Sequence, residues 1–233
     1  MKKIVIAAVI ICMGLAAQAQ IATFLAPGKS GLGIQVLAEQ GRYFKGFGAS
    51  IGGTYKGIID VSVMGTNDIY DKSSNELLTD KAIGNYLEGK VTCWLFRNQI
   101  TEGLDAHFGV LAGFESGFYK DYVYLNTSTG NNAEYTKYLG GMAGLKAAFG
   151  FNLKGNWYLH PSIEVYYDFG KDYETELGTG TETWYTGVMS NICVSLVRRM
   201  ENGNAFVISA NYFDQTYDSS VFYNLTAGYI FSF

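Results

Sequence analysis

Proline and histidine occur only twice each in 233 residues, and charge occupies only 16% of positions. A soluble globular domain carries about 25% charged residues, so this chain sits well off that average. Past the amino terminus no stretch reaches the roughly 18 consecutive apolar residues of a spanning helix, which excludes an α-helical membrane protein. Basic runs are missing as well, Arg198-Arg199 being the longest pair after the first residues, and this sets nucleic acid aside. With 48% apolar residues the chain is not disordered. Scarce proline beside 18 tyrosines favours β structure.

What is present begins with Lys2 and Lys3, an apolar run over 4–15, and Ala17-Gln18-Ala19. That order predicts a secretory signal peptide over residues 1–19, leaving 20–233 as a single, mildly acidic domain. The two cysteines beyond it, Cys93 and Cys193, fall on opposite parities of distant segments, so two free thiols are expected.

The chain past the signal alternates. Over 221–233 the odd positions read Val, Tyr, Leu, Ala, Tyr, Phe, Phe, and the even ones Phe, Asn, Thr, Gly, Ile, Ser. Period two marks a strand. The same pattern recurs in about ten segments, with one uncharged face in each, such as Leu32, Ile34, Val36 or Ile59, Val61, Val63. Charges fall on the other parity: Asp60, Glu88, Lys90, Asp105, His107, Glu115, Lys146, His160, Glu164 and Asp168.

An uncharged face also suits the inside of a soluble barrel, so parity alone leaves the direction open. Connection lengths decide for lipid. Short links at 53–57, 97–103, 152–156 and 198–204 alternate with long polar ones at 66–83, 117–137 and 171–183, as in barrels with short periplasmic turns and longer outer loops. Aromatic residues, among them Trp94, Phe96, Phe149, Phe169, Trp184 and Phe231, gather near predicted strand ends, the level of lipid headgroups. The expectation is an all-β, closed, up-and-down antiparallel transmembrane β-barrel of about ten strands, eight or twelve remaining open. Pro161 lies inside the seventh segment and predicts a bulge or a late start to pairing there.

The terminal Tyr229-Ile230-Phe231-Ser232-Phe233 and the Ala-Gln-Ala-Gln end of the signal resemble the small outer-membrane β-barrel proteins of Gram-negative bacteria, in particular those of Bacteroidetes-type organisms. Conjugation-associated and secretion-associated barrels are similar too. The resemblance implies an outer-membrane location after export, contact with outer-membrane lipid, and recognition of Tyr229, Phe231 and Phe233 by the barrel-assembly machinery.

The inward set predicts an ion network, with Lys90 near Asp60 and Lys146 near His107 and Glu164. Six carboxylates against two lysines also suit a cation-preferring path. Both histidines are expected inside the barrel, away from substrate, so no enzyme is expected, and no cofactor or metal either. The outer acids, Asp68, Asp121, Asp172, Glu174 and Glu176 among them, match no calcium loop and read as solvated charge. Two functions stay open: a structural or interaction barrel whose loops contact extracellular or envelope partners, and a small passive channel with an acidic lumen.

Overall fold

The computed structural model describes residues 24–26, 28–41, 44–70, 81–126, 131–176, 179–215 and 221–233. The expected signal peptide over 1–19 and the middle of the 66–83 connection lie outside them. Eleven strands follow one another: β1 (Gly31–Gly41), β2 (Phe44–Tyr55), β3 (Ile59–Tyr70), β4 (Ala82–Thr101), β5 (Leu104–Lys120), β6 (Val123–Asn126), β7 (Asn131–Asn152), β8 (Trp157–Glu176), β9 (Thr179–Arg199), β10 (Ala205–Gln215) and β11 (Val221–Ser232).

Ten of them, all but β6, pair antiparallel with their neighbours in a ring. β5 pairs with β7, and the ring closes where β1 meets β11, from Gly31↔Ser232 to Gly41↔Phe222. Closure leaves no bare sheet edge in the wall, which a hydrocarbon solvent requires because it cannot hydrogen-bond backbone groups. β6 is a short addition that pairs only with the start of β7.

The side chains sort as the alternation dictates. Leu32, Ile34 and Val36 of β1, Leu145 of β7, Ile163 and Val165 of β8 and Leu225 of β11 are exposed on the outside. Gln35, Ser62, Thr92, Asn191 and Ser195 are buried inside. A soluble protein places these classes the other way round, so the apolar girdle identifies the wall as a transmembrane surface. Trp184 and Phe233, 68% and 71% exposed, mark its two rims. Cys93 lies on the outer parity and Cys193 is buried inside; both are free thiols.

Tight turns join the strands at one end. In the β2–β3 turn Ile58 N–H donates to Tyr55 C=O at 2.9 Å, across Lys56 and Gly57 with φ of 50° and 65°. Two successive positive φ values make the hairpin turn whose twist matches its strands, which is why glycine stands at 57.

Three expectations need correction. The connections at 117–137 and 171–183 are largely strand, and so are the described ends of 66–83: β3 reaches Tyr70, β5 reaches Lys120, β7 starts at Asn131, and β8 and β9 run to Glu176 and from Thr179. Beyond the girdle the ladder bonds continue, but lipid no longer demands apolar side chains, so the polarity read as loop belongs to a wall standing in water. Pro161 causes no bulge. It pairs with Val194, and its missing N–H instead leaves a gap in the β7–β8 ladder between Ala148↔Ser162 and Phe151↔Leu159 with the register kept. Trp94 does not join the outer aromatics; it is 5% exposed and faces the lumen.

Candidate functional site

The interior is layered. At the turn end Phe24 and Leu25, preceding β1, enter the barrel and pack with Val197, Ala205, Val207 and Ile230. Arg199 fastens them, donating from Nε to Phe24 C=O at 2.8 Å and from Nη2 to Leu25 C=O at 3.2 Å, while its guanidinium covers the Tyr158 ring at 4.0 Å. His160 stands over this plug, its ring edge-on to Phe24 at 5.6 Å.

Above the plug lies an ion cluster that crosses the lumen. Lys90 of β4 lies 3.3 Å from Glu88 and 3.2 Å from Glu164 of β8, and Glu164 also pairs with Lys146 of β7. Asn191 of β9 donates to the same carboxylate at 3.4 Å. Two ammoniums thus face two carboxylates, the condition under which buried charges persist. The Tyr166 ring lies beneath Lys90 and the Trp94 ring beneath Lys146, at 5.3 and 5.9 Å.

The expected partners are partly rearranged. Lys146 meets Glu164 as expected, because the two residues are directly opposite in the β7–β8 ladder. Lys90 takes Glu88 and Glu164, whereas Asp60 accepts the Trp94 indole N–H at 2.9 Å. His107 receives Arg97 Nε at 3.2 Å in place of Lys146. Asp105 sits half-exposed by the β4–β5 turn, opposite Gln99 and Gly150. The remaining acids, Glu115 and Asp168, belong to the layer above: Tyr86 and Tyr138 donate to Glu115, and Tyr138 also lies 3.5 Å from Asp168.

Arg97 was not legible. Strict alternation from Trp94 turns Arg97 outward, but the register shifts between Trp94 and Phe96, leaving Leu95 and Phe96 both exposed. A bulge of this kind flips the side chains that follow it, and so Arg97 enters the lumen and reaches Gly57 C=O at 2.6 Å.

At the other end the extended strands form a cup around a cavity of about 350 Å³. Its wall is tyrosine-rich: Tyr70, Tyr119, Tyr122 and Tyr135 pack ring against ring at 4.8–6.0 Å, and Phe213 stacks on Phe222 at 4.2 Å. Glu39, Asp68, Glu88, Glu115 and Asp172 add carboxylates. Asp68 and Asp172, read from the sequence as solvated charge, are therefore part of the interior. Asp68 shares the parity of Asp60, so the signal was present once β3 is carried past Gly65. Beyond the girdle, burial raises the Asp172 carboxyl above its ordinary range while the bond from Tyr135 opposes that. A second void, beside Phe24 and Cys193, holds only about 10 Å³. The described residues include no group of three or more potential metal ligands.

Tyr229, Phe231 and Phe233 lie on the outer parity at the end of β11 and just past it, Phe231 and Phe233 exposed and Tyr229 half-buried.

No family model and no curated protein matches this chain. Among solved structures it is similar to the translocator domain of the autotransporter NalP from Neisseria meningitidis, with 11% identity over 91% of each chain and a TM-score of 0.49. The β domain of the Bordetella autotransporter BrkA is 15% identical, over 88% of this chain and all of that one, at 0.47. The attachment invasion locus protein Ail of Yersinia pestis is 11% identical, over 89% and 100%, at 0.33. At such scores these likenesses carry no functional weight, and the barrel stands on its own ladders.

Proposed function

We propose that this chain is an outer-membrane β-barrel of the interaction type: a sealed scaffold that presents its cup and loop-end strands to a ligand or partner outside the cell. The cross-lumen cluster Lys90–Glu164–Lys146 carries the reading. A conducting pore needs a continuous wet path, yet these side chains are essentially unexposed and the Phe24–Leu25 plug lies below them. The apolar girdle supports a membrane location, and the exported, assembly-dependent outer membrane is the compartment in which closed barrels serve. In this reading the turn end is periplasmic, outer-membrane lipid surrounds the girdle, and the assembly machinery reads Tyr229, Phe231 and Phe233.

No catalysis is assigned. His107 and His160 are both buried below the cup, out of reach of an outer substrate.

Planar-bilayer recording of the purified barrel tests the proposal. The expected trace is silent, and discrete conductance steps from the native chain would replace the sealed scaffold with a passive channel. Fractionation of the producing cell should recover the chain with outer membranes, soluble only in detergent.

A further inference from the structure

We infer that the loop-end cup binds a small organic cation, an ammonium group carried on a compact apolar or aromatic body. The inference deepens the interaction-type reading and rests on it.

The first observation is a pair of carboxylates brought together by a missing side chain. Glu39 of β1 and Asp68 of β3 are both directly opposite Gly46 of β2. A Cβ at Gly46 would collide with Asp68 Oδ1 and stand 2.8 Å from Glu39 Oε1, so both acids lean over the bare glycine. Two carboxylates held side by side need either a shared proton or a cation between them.

The second observation is burial. Asp68 is 6% exposed and lines the cavity; Thr66 donates to its Oδ2 at 3.4 Å, and among the described residues its Oδ1 has only the Glu39 carboxyl to share a proton with. A buried acceptor left open toward a cavity is costly unless a donor arrives from the cavity side. An ammonium N–H is the donor that also neutralises the pair.

The rest of the cup selects the body of the ligand. No lysine or arginine stands among the described lining residues. Phe44, Tyr70 and Tyr119 are the aromatic lining nearest the pair, Phe44 and Tyr70 in contact at 5.4 Å and Tyr70 and Tyr119 at 6.0 Å. Ring faces attract cations and pack against apolar bodies. A volume of about 350 Å³ is at the small end of ligand pockets and admits a one-ring amine. A bare divalent metal fits less well, because it requires more oxygen ligands in one group than the described residues assemble.

The test is calorimetry of the full-length barrel in a maltoside detergent, which carries no ammonium group, titrated with 2-phenylethylammonium chloride and with 2-phenylethanol as its neutral counterpart. Saturable binding of the amine, with the alcohol weaker by about tenfold or more, is expected. D68N and E39Q should each weaken the amine by about tenfold, and E182Q, on the exposed Lys171–Glu182 pair outside the cup, should not. Heat-modifiable gel mobility verifies that each variant is folded, and the amine-to-alcohol ratio of the native chain decides the matter if a variant is not. Equal binding of both compounds, no binding of the amine, indifference to D68N in a folded variant, or calcium chloride alone occupying the pair and excluding the amine would each overturn the inference. A silent bilayer with no amine binding removes the inference and leaves the sealed scaffold standing, whereas conductance removes the scaffold itself.

Discussion

Lys90 and Glu164 meet 3.2 Å apart through the middle of the barrel, joining β4 to β8, two strands that share no ladder. A barrel wall is held by neighbour-to-neighbour pairing, so this contact braces the ring along a chord, between strands three places apart. Because Lys146 shares the same carboxylate, Glu164 is the hub on which two buried ammoniums depend.

Glu164→Gln therefore leaves two buried positive charges with one carboxylate between them. A loss of about 3–5 kcal/mol is expected, the usual effect of removing one partner from a buried ion group. The quadruple variant E88Q/K90M/K146M/E164M, which removes all four charges at similar volume, should recover most of it. Urea unfolding followed by heat-modifiable mobility measures both, and equal destabilisation by the single and quadruple variants would contradict the hub.

Arg199→Ala removes both side-chain bonds to the carbonyls of Phe24 and Leu25. The plug should loosen by about 1–3 kcal/mol, with the ten-strand wall intact. Limited proteolysis reads this directly: cleavage near residue 25 should speed up while the barrel core resists. Unchanged cleavage would mean that apolar packing alone seats the segment.

The girdle makes a depth prediction. Leu145→Arg, in the middle of the outer face of β7, should cost about 2–4 kcal/mol in a bilayer, whereas Trp184→Arg at the rim should cost about 0–1 kcal/mol. Refolding titrations into lipid vesicles give both numbers. Similar values for the two positions would break the assignment of the rims.

Asp172 adds a pH dependence. Burial raises its carboxyl first of all, the bond from Tyr135 pulls the other way, and nearby Glu174 and Asp168 add to the rise. The folded chain holds this proton more tightly than the unfolded one. Its contribution is full below the ordinary carboxylate range and fades as pH climbs through the folded value. Asp172→Asn lacks that decline, so the urea midpoint of the variant relative to the native chain should rise between about pH 4 and pH 8. A difference that is flat across that interval would speak against the burial.

Much of the wall was readable because its physics is local. Leu32, Ile34 and Val36 face out and Gln35 faces in for no reason beyond the pleat, and the same rule put Glu88, Lys90 and Glu164 inside. Arg97 escaped because one extra residue after Trp94 reverses the rule until a second shift past Gln99. The cup escaped for a different reason. Polarity was equated with loop, yet Asp68 and Asp172 are polar because the strands outlast the lipid, and their inward aim comes from register with Gly46 and Tyr138 across the ladders. Which carboxylate Lys90 selects is set by the width of the ring, a long-range quantity that no window of residues encodes.

The seam between β1 and β11 imposes an order of events. The first strand made waits for the last, and Phe24 settles only once Ile230 has arrived to receive it. A polypeptide lacking β11 would present two raw margins and an unseated stopper, so the arrival of that strand, the shutting of the ring and the corking of its base become a single act.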